Sequence, residues 1–270
     1  MKKVVLITGA SSGFGKEVAI KLLSKGYIVY AVARGIDKMN DIKALGANIL
    51  SLDVTSDSQV EAVVSEIISA EGRIDVLFNN AGYGNFGAIE GVDIKDVEYQ
   101  FNVNVFGLSR MIKAVLPYMR SQREGLIINT SSVVGKLSMP FSGYYAATKH
   151  TVEAISDALR IEVAPLGIKV SIIEPGPVKT GFEAVVYDNL SKVNTPDDYK
   201  KMMSGFMKTM KEIYKNAPDT QSTVRDVVRA IESKRPKIRY RTTKEATILI
   251  FLKRLLCDRL LDKIMFLSTK

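Results

Sequence analysis

The chain has 270 residues, 46% of them hydrophobic, with one cysteine, one histidine and a formal net charge of +9. That length makes one large domain or two small ones with a substantial core, while a lone cysteine excludes an intrachain disulfide, fits a reducing compartment and, with a single histidine, argues against a structural zinc site. From Lys234 to Lys270 there are eleven Lys/Arg against three acids, so the positive charge is concentrated in the tail; no nucleic-acid motif accompanies it, and it describes a surface and not a nucleic-acid partner.

In chain order, Met1-Lys2-Lys3 leads straight into Val4-Val5-Leu6-Ile7, too short for a signal peptide. No stretch approaches the roughly 20 apolar residues of a membrane span, and a soluble cytoplasmic protein is expected. Short apolar runs at Val4–Thr8, Ile28–Ala33, Asn48–Asp53, Val76–Asn79, Leu126–Thr130 and Lys169–Glu174 alternate with helical patterns near 14–25, 57–71, 94–122 and 144–165. The alternation predicts βαβ units and an α/β fold with a doubly wound parallel sheet and right-handed crossovers. Without a linker, repeat or low-complexity tract, 1–270 reads as one domain.

The first turn, Thr8-Gly9-Ala10-Ser11-Ser12-Gly13-Phe14-Gly15, follows a strand and opens a helix. Gly9 permits a tight turn, Gly13 lets backbone approach a pyrophosphate at the helix N-terminus, and Gly15 lets the helix pack on the sheet. Dinucleotide binders that take NAD place an acid roughly twenty residues later; here Ala33 is followed by Arg34, a cation suited to a 2′-phosphate, which favours NADP(H). Asp37 argues the other way if it folds back to the ribose, and Lys38 either adds charge or faces water. Asp53, followed by Val54, either accepts from an adenine amino group or caps the next helix. Asn79-Asn80-Ala81-Gly82 ends a strand in amides and small residues that let backbone pass close to a ligand. Further on, Tyr145 and Lys149 stand four residues apart, one helical turn, preceded by Thr130-Ser131-Ser132. An ammonium beside a phenol favours the phenolate and lowers its pKa.

Thr8–Gly15, Asn79–Gly82, Asn104 in Asn104-Val105-Phe106-Gly107, Ser132, Tyr145 with Lys149, and Pro175-Gly176-Pro177-Val178-Lys179-Thr180 occur in an order and spacing that resemble the short-chain dehydrogenase/reductase family, single-domain type, over about residues 3 to 182. The resemblance implies a Rossmann fold and a hydride transfer between NADP(H) and a ketone or secondary alcohol. It assigns Tyr145 as general acid/base, Ser132 as hydrogen-bond donor to the same substrate oxygen, and Lys149 to the nicotinamide ribose and the phenol. Asn104 would bend a helix and hold a water that relays protons from Lys149, or else simply bond to backbone. Cofactor contacts would come from Gly9, Ser11, Ser12, Gly13, Phe14, Gly15, Arg34, Asp53, Val54, Asn80, Ala81, Gly82, Tyr145, Lys149, Pro175, Gly176, Val178 and Thr180. Substrate would meet Ser132 and Tyr145; Tyr144, about 100° away around the helix, lines the pocket or packs, and His150 is a bystander.

The segment 182–217, with Phe182, Val185, Val186, Tyr187, Met202, Met203, Phe206, Met207, Met210 and Tyr214, matches the family's helical substrate lid. It suggests a lipophilic substrate such as a hydroxysteroid or retinoid, although the helical spacing also fits plain core. Val92, Met139, Pro140 and Phe141 are further candidate walls. The tail, 237–270, reads as basic amphipathic helices that cover the pocket, another subunit or an anionic membrane surface. A homo-oligomer through the helices near 94–122 and 144–165 is expected. A cofactor sensor without turnover is the alternative function; a lyase or epimerase is a third.

Overall fold

Along Val4–Thr8 successive side chains face opposite sides of a sheet, so Val4 and Leu6 enter one apolar cluster while Val5 and Ile7 enter a second. The computed structural model describes residues 2–267 and Thr269. Its parallel strands are β1 (Val4–Thr8), β2 (Ile28–Ala33), β3 (Asn48–Ser51), β4 (Val76–Asn79), β5 (Gly125–Thr130), β6 (Ile168–Glu174) and β7 (Arg239–Arg241), arranged in the order β3-β2-β1-β4-β5-β6-β7. The helices are α1 (Gly13–Leu23), α2 (Asn40–Ala44), α3 (Asp57–Glu71), α4 (Ile94–Phe101), α5 (Leu108–Gln122), α6 (Gly143–Val163), α7 (Phe182–Leu190), α8 (Asp197–Asn216), α9 (Gln221–Glu232), α10 (Lys244–Leu255) and α11 (Asp258–Leu267). Helices α3, α5 and α6 bury Val63, Ile67, Met111, Val115 and Val152 on one face. Helices α1, α2 and α9 bury Val18, Leu22, Ile42, Val227 and Ile231 on the other. The expected doubly wound α/β single domain is therefore observed, and each such buried aliphatic contributes about 1.5–3 kcal/mol relative to exposure.

Three expectations need correction. The third strand ends at Ser51 and not at Asp53, because the Asp53 carboxylate folds onto Thr55, accepting from its amide at 2.9 Å and its hydroxyl at 2.8 Å, and Ser56 caps α3 instead. The helical stretch near 94–122 is interrupted by a π-helical turn at Asn102–Gly107, a wide turn of the kind that inserts into helices at functional sites. Arg239–Arg241 is an edge strand and not part of a helical tail. Ser171 Oγ donates to the Lys237 carbonyl at 2.8 Å, and Tyr240 is buried against the sheet.

That strand also corrects the reading of the tail charge as a plain surface. Arg239 lies 3.0 Å from Glu153 of α6, 2.6 Å from Asp157 and 3.1 Å from Glu174 of β6, while Arg241 is 3.4 Å from Glu174. Lys136 adds a 2.6 Å contact to Glu153. Both glutamates are buried, and removing one partner from a buried ion network leaves an uncompensated charge. Arg239→Ala is expected to cost about 3 kcal/mol in urea unfolding; a loss below about 0.5 kcal/mol would show that Lys136 and Arg241 suffice.

Candidate active site

The strand order reverses between β1 and β4, where α/β folds open a crevice at the C-terminal strand ends. Thr8 Oγ1 accepts from the Asn80 and Ala81 amides, each at 3.0 Å, and Asn80 Nδ2 donates to the Thr8 and Gly9 carbonyls, each at 3.2 Å. The glycine turn is packed so tightly on this corner that side chains do not fit. Gly9 has φ +66°, a Cβ there would stand 2.9 Å from Ala81 Cα, and one at Gly15 would stand 2.5 Å from the Gly9 carbonyl. Ser12 makes no side-chain cap on α1, so the first amides of that helix are left for an anion. Thr180 crosses over the turn, 3.3 Å from where a Gly13 Cβ would be. This cradle fits the pyrophosphate of a dinucleotide, with Ser11 and Phe14 beside it in the turn.

At the adenosine end of the crevice Arg34 is exposed just past β2, its guanidinium donating to the Tyr99 hydroxyl at 2.6 Å. Asp37 and Lys38 lie exposed on a 3₁₀ turn, Ile36–Met39. Asp53 keeps one carboxylate oxygen without a partner among the described residues, whereas the Val54 side chain is core and packs on Gly107.

Helix α6 carries Tyr145 and Lys149. Lys149 is buried and donates from Nζ to the Thr130 carbonyl at the end of β5, 2.9 Å away. One turn earlier Tyr145 leans against Phe86 and Phe182, with ring centroids 5.4 and 5.6 Å apart. Ser132 Oγ accepts from the Val134 amide at 3.3 Å and donates to the Pro175 carbonyl at 3.4 Å. Ser131 Oγ is turned instead to the Lys149 carbonyl, 3.5 Å away, which supports the choice of Ser132. A Cβ on Gly82 would stand 3.7 Å from Asn104 Oδ1 and 4.0 Å from Lys149 Nζ, so all three border one space.

The electrostatics differ from the expectation that Lys149 acidifies Tyr145. Burial pushes the phenol well above its ordinary range, Tyr214 of α8 adds to the effect, and the Ser132 hydroxyl pulls the other way. The Lys149 ammonium is 5.7 Å from the ring centroid and is engaged by the Thr130 carbonyl, too far to offset the loss of water. Burial in turn lowers Lys149 from 10.5 to about 8, with Glu153 acting against it.

Asn104 sits in the π-helical turn, accepting from the Tyr83 amide at 2.7 Å and donating to the Tyr83 carbonyl at 2.8 Å and to Thr148 Oγ1 at 3.1 Å. Its amide thus staples the strand-end loop to α6; the geometry carries the helix-bending, backbone-bonded part of the expectation. Tyr144 reaches the Ile89 carbonyl at 3.3 Å, and exposed His150 pairs with its own helix at the Ala146 carbonyl. Pro175 and Gly176 turn the chain under α10, where Thr243 Oγ1 would lie 2.5 Å from a Gly176 Cβ, and Val178 is buried beside them. Sequence reading missed Thr130, whose contribution is a backbone carbonyl and so leaves no residue signature, and Tyr214, which helical spacing had assigned to lid or core.

Residues 3–190 match the family described as short chain dehydrogenase. A 3-ketodihydrosphingosine reductase of Bacteroides thetaiotaomicron is 42% identical over 79% of this chain and 76% of its own. Retinol dehydrogenase 8 of Bos taurus is 35% identical over 93% and 85%. Among solved structures, a short-chain dehydrogenase from Streptomyces avermitilis superposes with TM-score 0.83 at 30% identity, covering 97% of this chain and 93% of that one. One from Burkholderia phymatum in complex with NAD gives 0.81 at 27%, covering 94% and 93%, and a serine dehydrogenase complexed with NADP+ gives 0.77 at 28%, covering 88% and 93%.

Lys149 has a folded-state pKa below its unfolded value, so its burial penalty is fully present below pH 8, fades as pH rises and vanishes above 10.5. Lys149→Met is therefore expected to raise stability by up to about 3 kcal/mol at pH 7, with the gain gone near pH 11. Denaturant melts across that range check this; a destabilised variant at pH 7 would show that the bond to Thr130 outweighs desolvation.

Proposed function

The chain belongs to the short-chain dehydrogenase family, and on that premise we propose that it is an NADP(H)-dependent oxidoreductase interconverting a ketone and a secondary alcohol on a lipophilic substrate. The observation that carries the reading is the grouping of three side chains at one strand end: Lys149 donates to the Thr130 carbonyl, two residues before Ser132, and Tyr145 lies one turn earlier on the same helix. Bound NADP(H) supplies or accepts the hydride. Tyr145 passes a proton to or from the substrate oxygen, and the neighbouring Ser132 hydroxyl works against the rise that burial gives the phenol's pKa. Ser132 donates to the same oxygen as charge develops there. Lys149 holds ribose hydroxyls, with Asn104 placing a relaying water beside it. Arg34, with no acid at the end of β2 itself, supports a 2′-phosphate and hence NADP(H), against the exposed Asp37 three residues on; solved relatives carry either cofactor.

A lipophilic substrate is supported by the cover over Tyr145. Phe86, Phe141, Val186, Leu190, Phe206 and Met210 form one apolar cluster, with Tyr145, Phe182 and several methionines packed on it. Helices α7 and α8, the segment 182–217, act as the lid and must part for substrate to enter. Two relatives are named for a retinol and a keto-sphingosine, both long apolar molecules with an oxygen function. The tail covers the far wall: Ala246 and Ile250 of α10 pack beside Val134, Leu137 and Tyr145. Its outer face presents Ile248, Phe251 and Leu255 at helical spacing among Lys244, Lys253 and Arg254, which suits peripheral contact with an anionic membrane. No helix among the described residues is long and apolar enough to cross one. Exposed Phe106, Tyr118 and Ile161 along the π-helical turn, α5 and α6 suit a homo-oligomer.

Steady-state assays with a panel of ketones test the proposal. Tyr145→Phe is expected to lower turnover by about 10³-fold while a fluorescence titration of NADPH is unchanged, and Arg34→Asp should weaken NADPH more than NADH. Wild-type rates in Tyr145→Phe would refute the assignment.

A further inference from the structure

We propose that Glu153 is a positioning residue for the reaction: from one turn beyond Lys149 on α6 it sustains the charge of that ammonium, while Lys136 and Arg239 hold its carboxylate in place. The last strand, β7, thereby helps set how far into alkaline pH the site works. This rests on the oxidoreductase reading above and adds a residue outside its cofactor and substrate contacts. Lys149 and Glu153 are both buried and, four residues apart, share one face of α6. The Lys149 ammonium donates to the Thr130 carbonyl, a neutral group, so its charge must be balanced from further off. The acid that acts on it is Glu153.

Glu153 is seated by the turn that follows Ser132. In the 3₁₀ turn Val133–Gly135 a Cβ on Gly135 would stand 2.5 Å from Ser131 Oγ, 3.1 Å from the Lys149 carbonyl and 3.2 Å from Glu153 Cγ, so a glycine is what lets α6 lie this close. Lys136, the next residue, meets Glu153 Oε2 at 2.6 Å, and Arg239 meets the same oxygen at 3.0 Å. Anchoring β7 does not by itself require this acid. Arg239 already has Asp157 at 2.6 Å and Glu174 at 3.1 Å, Arg241 has Glu174, and the β6–β7 ladder pairs the strands. A second buried acid beside Glu174 is instead unfavourable: burial, and then Glu153, push the Glu174 carboxyl up. What offsets that cost is the ammonium one turn back.

The consequence follows from the sign of the effect. Burial lowers Lys149 from 10.5 to about 8 and Glu153 works against it, so without the carboxylate the ammonium loses its proton at a lower pH. A neutral amine has one donor fewer and no charge to offer ribose hydroxyls or a proton relay. The other groups beside Lys149 leave this effect to Glu153: the Tyr145 phenol, pushed up by burial, is neutral, and the Thr130 carbonyl and Asn104 amide are uncharged. The network around Glu153 comprises Lys136, Glu174 of β6, Arg239 and Arg241 of β7 and, one turn on along α6, Asp157, which Arg160 also engages.

The test uses the full-length protein and two pH titrations. One follows the Lys149 Cε resonance by carbon NMR, assigned with Lys149→Met; the other follows kcat/KM for NADPH, which reports the free enzyme, with a ketone that the wild type reduces. In the wild type both are expected to break near pH 8. Glu153→Gln should move both breaks down by about one pH unit, with the rate near pH 6 close to that of the wild type. Asp157→Asn, which takes a partner from Arg239 and leaves Glu153, should keep both breaks where they are. Glu153→Met, of similar volume, replaces the glutamine if that variant does not fold, and melting curves verify each protein. Unmoved breaks, a resonance that moves while the rate profile does not, or a rate lowered equally at every pH overturns the proposal and leaves the oxidoreductase reading in place. If no ketone consumes NADPH, the oxidoreductase reading itself falls, and the positioning role with it.

Discussion

The bond from the Lys149 ammonium to the Thr130 carbonyl, 2.9 Å long, fastens the middle of α6 to the end of β5, and the rest of the site takes its position from there. It fixes the rotation of the helix, so Tyr145, one turn back, must face the same strand end, and Ser132, two residues past Thr130, is brought to the phenol. The ammonium is kept out of water at an energetic cost that shows as its lowered pKa of about 8. Glu153, one turn further along α6, opposes that shift, and it is itself held by Lys136 and by Arg239 of the last strand. A stretch of chain nearly ninety residues beyond the lysine thereby supports its charge.

Sheet order explains why the cofactor cradle and this pair share one crevice. β1 and β4 diverge at their C-terminal ends, and Thr8, Asn80 and the glycine turn close the gap with backbone and amide contacts that admit no larger side chain. On the next pair of strands Asn79 donates to Asn129 at 3.0 Å, and Asn129 to Ser156 of α6 at 2.9 Å. The amide bridge at the strand ends thus reaches as far as α6.

Much of this was legible in the residues. Strands β1, β2 and β4 have the expected limits, because continuous β-branched runs buried on both faces of a parallel sheet have few other destinations. Tyr145 and Lys149 fall one turn apart on a single helix, as their spacing implied. Strand β7 was not legible, since three residues including two arginines carry no strand pattern, and the acids that neutralise them lie some 65 to 86 residues away in sequence. Helix α9 does carry a signal, with Val224, Val227, Val228 and Ile231 at helical spacing, which the emphasis on the basic tail obscured. The pKa of Tyr145 was misjudged for a physical reason: sequence spacing reports which groups are neighbours, whereas the balance between burial and a charge 5.7 Å from the ring needs coordinates.

The central claim is that Tyr145 delivers a proton where a nicotinamide delivers a hydride. A crystal structure of the protein with NADP+ and a ketone measures this directly. The account predicts the ketone oxygen within about 3 Å of both the Tyr145 hydroxyl and Ser132 Oγ, with its carbonyl carbon about 3.5 Å from nicotinamide C4. A nicotinamide ring bound away from Tyr145, or the phenol and the Lys149 ammonium turned to opposite sides of α6, would contradict it.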